Sequence, residues 1–187
     1  MFEINQLETN FNQIVHFKSL SDSQRYYKYF VENENFIATK YVNPILIAGK
    51  GYSEKQIKAL DFFNCVLPIP IFSKRFVDKN EKELQNELAF YPCNILSGNE
   101  KMSFFIARIL KYRDIFDTQH SGKRQLTDGT FIPDIPYYYK GQRGVFYIVR
   151  DLIYKNHYVV SDKFKEMCNG LEINFTQVNN WQYNTDN

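Results

Sequence analysis

Cysteine and histidine are both scarce in this chain, and their scarcity excludes a good deal. Cys65, Cys93 and Cys168 are odd in number and far apart, with no Cys-x-x-Cys pair. They make no disulfide framework and fit reduced thiols in a cytoplasm. The three histidines, His16, His120 and His157, are equally dispersed, so there is no His-x-x-x-His pair and no Cys/His cluster of metal-ligand spacing. A Gly-x-Ser-x-Gly elbow is missing, which disfavours an α/β-hydrolase. Gly49-Lys50-Gly51-Tyr52-Ser53 lacks the Gly-x-x-x-x-Gly-Lys-Ser/Thr spacing that aims several amides at one phosphate, so no phosphate loop is assigned. Long apolar runs are missing too. Ile45–Ala48 and the proline-broken Cys65–Phe72 fall far short of a membrane span. The opening Met-Phe-Glu-Ile-Asn-Gln-Leu-Glu-Thr-Asn carries acids and amides where a secretory signal needs basic and then apolar residues. The expectation is a cytoplasmic protein that neither crosses nor binds a membrane.

Charge of one sign is also weak overall. The net charge of +2 does not make nucleic-acid binding the default. It is unevenly spread, however. Residues 101–165 hold twelve Lys and Arg against six Asp and no Glu. That span reads either as a solvated basic face or as a site for an acidic surface. Aromatics are abundant: 17 Phe and 14 Tyr bring them to 17% of the 187 residues, an excess that serves strands, core and binding surfaces alike.

The clearest local signal lies near the end. Tyr158–Val160 favours a strand, Ser161 or Asp162 caps a helix, and Phe164, Met167, Cys168 and Leu171 fall at i, i+3, i+4 and i+7 on one apolar stripe. Gly170 suits a left-handed helix stop, after which Leu171, Ile173 and Phe175 alternate as a half-buried strand. Earlier, Phe11, Ile14, Val15 and then Tyr26, Tyr27, Phe30, Val31 have helical spacings. Phe36–Thr39 and Pro44–Ala48 read as strands, and Ser53 caps a helix from Glu54 to about Phe63. Val66–Val77 is an extended, proline-bearing edge that enters a helix at Ser73. Asp78–Ala89 reads as a solvent-facing helix ended by Pro92, and Met102–Leu110 as a strand. The stretch 118–144 is irregular, with a hairpin turn at Asp128-Gly129. Val145–Val149 is a strand, Arg150–Lys155 a turn, and the tail beyond Trp181 frays. Strands and helices do not alternate regularly enough for a doubly wound sheet. The predicted fold is α+β: a mixed or antiparallel sheet with several short helices, one domain over residues 1–187 that can show two lobes.

Three segments occur in a telling order: Pro70-Ile-Phe-Ser-Lys-Arg-Phe-Val77, Phe104-Phe-Ile-Ala-Arg-Ile-Leu-Lys-Tyr-Arg-Asp-Ile-Phe-Asp117, and Tyr158-Val-Val-Ser-Asp-Lys-Phe-Lys165 ending in Leu171-Glu-Ile-Asn-Phe175. Within them Ile71-Phe-Ser-Lys-Arg-Phe76 echoes Val159-Val-Ser-Asp-Lys-Phe164. Over about residues 66–178 the chain thereby resembles the bacterial immunity proteins of polymorphic toxin systems, a group first described as a domain of unknown function. The shared motifs read as caps and core stripes, so they carry over no active-site residues. What the resemblance implies is a stoichiometric, non-catalytic inhibitor of a cognate toxin, the C-terminal domain of a secreted effector, without cofactor or metal.

Such an inhibitor needs aromatic and Arg anchors on about 800 Å² of surface. The stretch 118–144 supplies Tyr137, Tyr138 and Tyr139 beside Lys123, Arg124, Lys140 and Arg143, and these seven form the candidate partner-binding set. The competing reading makes Tyr137–Tyr139 a strand with Tyr138 on the opposite face. The near-neutral charge disfavours mimicry of a nucleic-acid backbone and favours an acidic toxin surface. Two other functions compete: a nucleic-acid module using the basic, Tyr-rich span 101–165, and an enzyme with a pocket of convergent polar residues. For catalysis only a Cys93–His120 pair and the Asp114/Asp117 pair present themselves, the latter expected to anchor a turn or pair with Lys111 and Arg113. No catalytic residue is assigned, and the chain is expected not to be an enzyme.

Overall fold

A computed structural model describes residues 1–7, 13–34, 43–142 and 144–179. Phe11, the Phe36–Thr39 segment, Arg143 and the tail from residue 180 therefore lie outside the described residues.

Strand β1 (Phe2–Gln6) opens the chain, followed by β2 (Val15–Phe17). The sequence expectation placed Val15 in a helix. The residues around it alternate instead, with Val15 and Phe17 buried and His16 exposed, so the period is two. Helix α1 (Leu20–Phe30) begins where the Ser19 side chain accepts from the Asp22 amide, and it buries Tyr26, Tyr29 and Phe30. Strand β3 (Ile45–Ala48) leads to α2 (Glu54–Ala59), capped as expected by Ser53 and closed reciprocally by Gln56. Helix α2 stops short of Phe63 because Leu60 turns extended and Phe62–Phe63 form β4.

Strand β5 (Ile71–Phe72) runs through the Ser73 cap into α3 (Lys74–Leu84). The expected Asp78–Ala89 helix is thus the second half of α3, and Leu88 already begins the long strand β6 (Leu88–Ser97). Pro92 sits inside that strand and does not end a helix. Two residues on, the Asn94 amide bonds Pro44, so the amides on this side of the strand face β3, which reaches only as far as Asn94. Among the described residues Pro92 therefore faces no paired strand on that side, a position where its missing donor breaks no ladder bond.

Strand β7 (Glu100–Ile109) pairs with β6 along its whole length. Then come β8 (Tyr112–Arg113), a hairpin of β9 (Gly122–Gln125) and β10 (Phe131–Asp134), and β11 (Ile148–Asp151). Arg150 and Asp151 belong to that last strand, not to a turn. The close is β12 (Tyr158–Val160), α4 (Asp162–Met167) and β13 (Ile173–Gln177), with Gly170 at φ 81° as the left-handed stop.

Two main sheets result. The larger has the order β2-β3-β6-β7-β5-β4, the other β13-β1-β12-β11-β8, while β9 and β10 form a separate ribbon. Both main sheets are mixed, parallel at β3–β6 and at β11–β8 and antiparallel elsewhere. The fold is α+β, as expected. No helix among the described residues is long and apolar enough to cross a membrane.

Period-two alternation distributes the core into layers. On β7, Met102, Phe104 and Ile106 face the cluster containing α1 and α2 residues, while Ala107 and Ile109 face the cluster containing α3 and α4 residues. The second cluster also takes Ile4, Ile148, Val160 and Ile173 from the five-stranded sheet, so it lies between the two sheets. The opposite face of that sheet presents Val149 and Val159 to a third cluster with Ile115, Phe116, Tyr139 and Phe146.

The two echoed motifs meet in the middle cluster. Each is a strand, a Ser cap and a short helix whose third residue is Phe. Ser73 accepts from the Phe76 amide and Ser161 from the Phe164 amide. Both Phe side chains are fully buried, and their ring centroids lie 5.8 Å apart. Phe72 stacks on Phe76 at 4.0 Å. Asp61 ties this arrangement together: its carboxylate accepts from Ser73, Arg75 and the Glu172 amide.

Candidate functional site

Buried carboxylates build the part of the surface that stands out. Asp151 is 1% exposed, and its four bonds all come from backbone amides. Oδ2 accepts from Ile115 and Phe116 at 2.9 and 2.8 Å; Oδ1 accepts from Ile153 and Tyr154 at 2.9 and 2.6 Å. One side chain thereby fixes both the segment leading to the hairpin and the loop after β11. Asp117 does the same at the hairpin base, accepting from the Gln119 and His120 amides and from His120 Nδ1 at 2.7 Å. Burial works against its ionisation, but these bonds outweigh it and hold the carboxyl below its usual range. Gly122 is required here, since a side chain would collide with the carbonyls of Asp134 and Ile135. The tip closes through Gly129 at φ 86°, with the Thr130 amide bonded to Asp128.

Beneath the hairpin lies a packed set of rings. His157 stacks on Phe116 at 4.4 Å, Tyr137 meets His157 edge-on at 4.8 Å, and Phe116 touches Tyr154 at 5.2 Å. The Tyr139 hydroxyl donates to Glu3 at 2.9 Å and contacts His157 Nδ1 at 3.1 Å. Burial, reinforced by Glu3, raises the Tyr139 phenol, and burial lowers His157 against the pull of Asp151. Both are neutral near pH 7. With the phenol proton committed to Glu3, Nδ1 of His157 carries the proton toward Tyr139.

Over this base the hairpin and the 151–157 loop present apolar side chains to solvent. Phe131 is 62% exposed, Ile135 74% and Ile153 73%. Ile132, Pro133 and Tyr154 form a ridge shared by two clefts. One, of about 520 Å³, is lined on its far side by Gln119, Lys123 and Phe131. The other, of about 620 Å³, runs toward α1 and is lined by Tyr27, Tyr137, Ile153, Lys155 and His157.

The seven residues singled out from the sequence do not form one patch. Lys123 and Arg124 are exposed on β9, the latter 3.5 Å from Asp134. Tyr137 is half-buried and lines the α1-side cleft. The main chain of Tyr138 bonds the Ser121 hydroxyl and the Asp117 amide. Tyr139 is 2% exposed and belongs to the third core cluster. Lys140 is bonded to both oxygens of Asp114 at 2.7 Å, and Arg143 lies outside the described residues. Tyr137 and Tyr139 share ring partners, which matches the strand-like alternation of the competing reading. What the sequence reading passed over is the apolar set Phe131, Ile132, Pro133, Ile153 and Tyr154. Its available signal was Leu152-Ile153, an apolar pair in a segment read as a turn.

The catalytic pairings considered from sequence are not assembled. Cys93 is buried in the cluster under α1, whereas His120 is bonded to Asp117. Asp117 anchors a turn as expected, but Asp114 pairs with Lys140, and Lys111 pairs instead with buried Glu87. Burial pushes the Cys168 thiol up to about 12, far from a reactive thiolate. Among the described residues no group of three or more metal-ligating side chains converges. No protein family, curated protein or solved structure was found to match the chain.

Proposed function

We propose that this chain is an immunity protein: a cytoplasmic, non-catalytic inhibitor that covers a cognate bacterial toxin domain in a one-to-one complex. The observation that carries the reading is the apolar surface of exposed Phe131 and Ile153 with half-buried Ile132 and Pro133, which stands over a base whose loops the buried carboxylates of Asp151 and Asp117 bond in place. A preorganised apolar centre with a polar rim loses little entropy on association and is what a tight protein interface needs. The order of the three sequence motifs supports the same reading, because each motif serves the scaffold and leaves the inserted hairpin to vary with the partner.

The basic span gives less support to a nucleic-acid module than its composition promised. Arg150 is fully buried, Arg108 lies over the Tyr29 ring, and Lys111 and Lys140 are bonded to carboxylates. Two of its cations are thus buried and two more are neutralised by carboxylates, which leaves less of the span's charge free for phosphates.

The test is co-expression with the toxin domain encoded beside its gene. Growth rescue, co-purification and an inhibition titration that ends at equimolar protein are expected. Rescue without a complex, or oligonucleotide binding that weakens steeply with salt, would replace this reading.

A further inference from the structure

We infer that Asn169 is a site of spontaneous chemical modification: the main-chain nitrogen of Gly170 attacks its side-chain amide, which is lost as ammonia, and Lys79 promotes the step. The modification is intrinsic to the chain and independent of any partner.

Asn169-Gly170 is the one Asn-Gly pair in the sequence. It follows α4 and makes the left-handed stop before β13, with Gly170 at φ 81°. Both residues are exposed. Glycine leaves its nitrogen unshielded, since it carries no Cβ, and nothing lies within 4 Å of where one would stand. Among the described residues the Gly170 N–H donates to no acceptor. Its neighbours are committed, the Asn169 amide to the Glu166 carbonyl and the Leu171 amide to the Cys168 carbonyl. The attacking nitrogen is thus the free amide of an otherwise bonded turn.

Tertiary structure supplies the promoter. Lys79, on α3, donates from Nζ to the Asn169 carbonyl oxygen at 2.7 Å. That oxygen belongs to the same peptide group as the Gly170 nitrogen. Resonance couples the two atoms, so an ammonium on the oxygen draws electron density from the nitrogen and makes its N–H easier to lose. A base in the buffer takes that proton, and the nitrogen adds to Cγ of Asn169. The bond from Cγ to the amide nitrogen then breaks, and ammonia leaves with a proton from water. The five-membered imide that remains takes up one water at either carbonyl. Opening one way gives aspartate, and opening the other way gives isoaspartate, in which the main chain runs through the former side chain. One water is consumed and one ammonia released, with no change of oxidation state.

The two products differ in what they do to the fold. Aspartate keeps the backbone and adds a carboxylate to a residue that Lys79 already contacts. Isoaspartate lengthens the main chain by one methylene shortly before Glu172. The Glu172 amide bonds the Asp61 carboxylate at 2.8 Å, and that carboxylate also holds Ser73 and Arg75. The longer chain therefore pulls on the tie between the α3 cap and the start of β13.

The full chain is incubated in mildly alkaline buffer and digested, and the Asn, Asp and isoAsp forms of each peptide are separated and quantified by mass spectrometry. Asn169 is expected to convert about tenfold faster than Asn99 and Asn156, exposed asparagines followed by residues that carry side chains. Lys79→Met is expected to slow Asn169 about twofold or more in native buffer, and to have no effect in urea, where the contact is gone. The isoaspartate form is expected to melt at a lower temperature than the unmodified chain, whereas Asn169→Asp melts with it. Conversion at Asn169 no faster than at Asn99 or Asn156 would overturn the site. A native rate untouched by Lys79→Met, or an equal slowing in urea, would overturn the role of Lys79, and equal melting of the isoaspartate form would overturn the pull on Asp61.

Discussion

The region between the two sheets and the hairpin region solve opposite problems with similar means. Between the sheets, two copies of a strand–Ser–helix motif bring Phe76 and Phe164 together, and Asp61 locks the motif edges in place. The apolar side chains at its centre are hidden. At the hairpin base, Asp151 and Asp117 lock the backbone in the same way, but Ile153 on the locked loop and Phe131 on the hairpin itself are exposed to solvent. Buried carboxylates that bond amides thus fix geometry in both places. Between the sheets that geometry buries its apolar payload, whereas at the hairpin it buries Ile115 and Phe116 and also displays Ile153. The difference separates residues kept for stability from residues available for a partner.

The comparison can be broken in several ways. The largest effect is expected from Phe76→Ala or Phe164→Ala, each losing about 3–5 kcal/mol of stability in denaturant titrations. Because the rings share neighbours, the double variant should fall short of the sum. If either single variant loses under about 1 kcal/mol, the middle cluster is not the keystone of the fold. Next comes Asp151→Asn, which turns an amide donor toward backbone amides. A loss of about 3 kcal/mol is expected, with faster hydrogen exchange at Ile115, Phe116, Ile153 and Tyr154. Unchanged exchange there would mean that the loops hold themselves.

Removing either cap, Ser73→Ala or Ser161→Ala, should cost about 1 kcal/mol each, by the loss of one helix-end acceptor. Mild acid distinguishes the two regions more gently. Burial lowers His157, so the unfolded chain takes up the proton first as pH falls. The stability contribution of neutral His157 is complete above its ordinary value of 6.5 and is lost as pH falls below that toward the depressed folded value. Exchange protection in the hairpin region should drop between about pH 7 and 5, and His157→Gln should abolish that dependence. Equal loss between the sheets would show that the regions are not independent. The smallest effect on stability, within about 0.5 kcal/mol, is expected for Phe131→Asp and Ile153→Asp. Toxin affinity should nonetheless fall more than about tenfold in each.

Local signals were read well where chemistry is local. The Ser53, Ser73 and Ser161 caps, the Gly170 stop and the alternation of Met102–Leu110 depend on a few neighbouring residues, and all are present. The errors fall where distant partners decide. Val15 takes its strand period from pairing with Ala48, thirty-odd positions along the chain, and β1 exists because β12 and β13 flank it. Pro92 reads as a terminator because nothing nearby reveals that it sits within β6, with no described strand taking up its missing donor. The candidate site fared similarly. The hairpin's position and its Asp128-Gly129 turn were legible, but Tyr139 and Lys140 were claimed for the surface although one is buried and the other paired.

From residue order alone come the class of fold, the capped helices, the turn of the inserted hairpin and the uneven spread of charge, since each follows from periodicity or a short-range bond. Which tyrosines are buried, which cations face inward and which apolar side chains are displayed depend on how three layers stack. Burial and desolvation are properties of neighbours brought together by folding, so only the tertiary structure decides them.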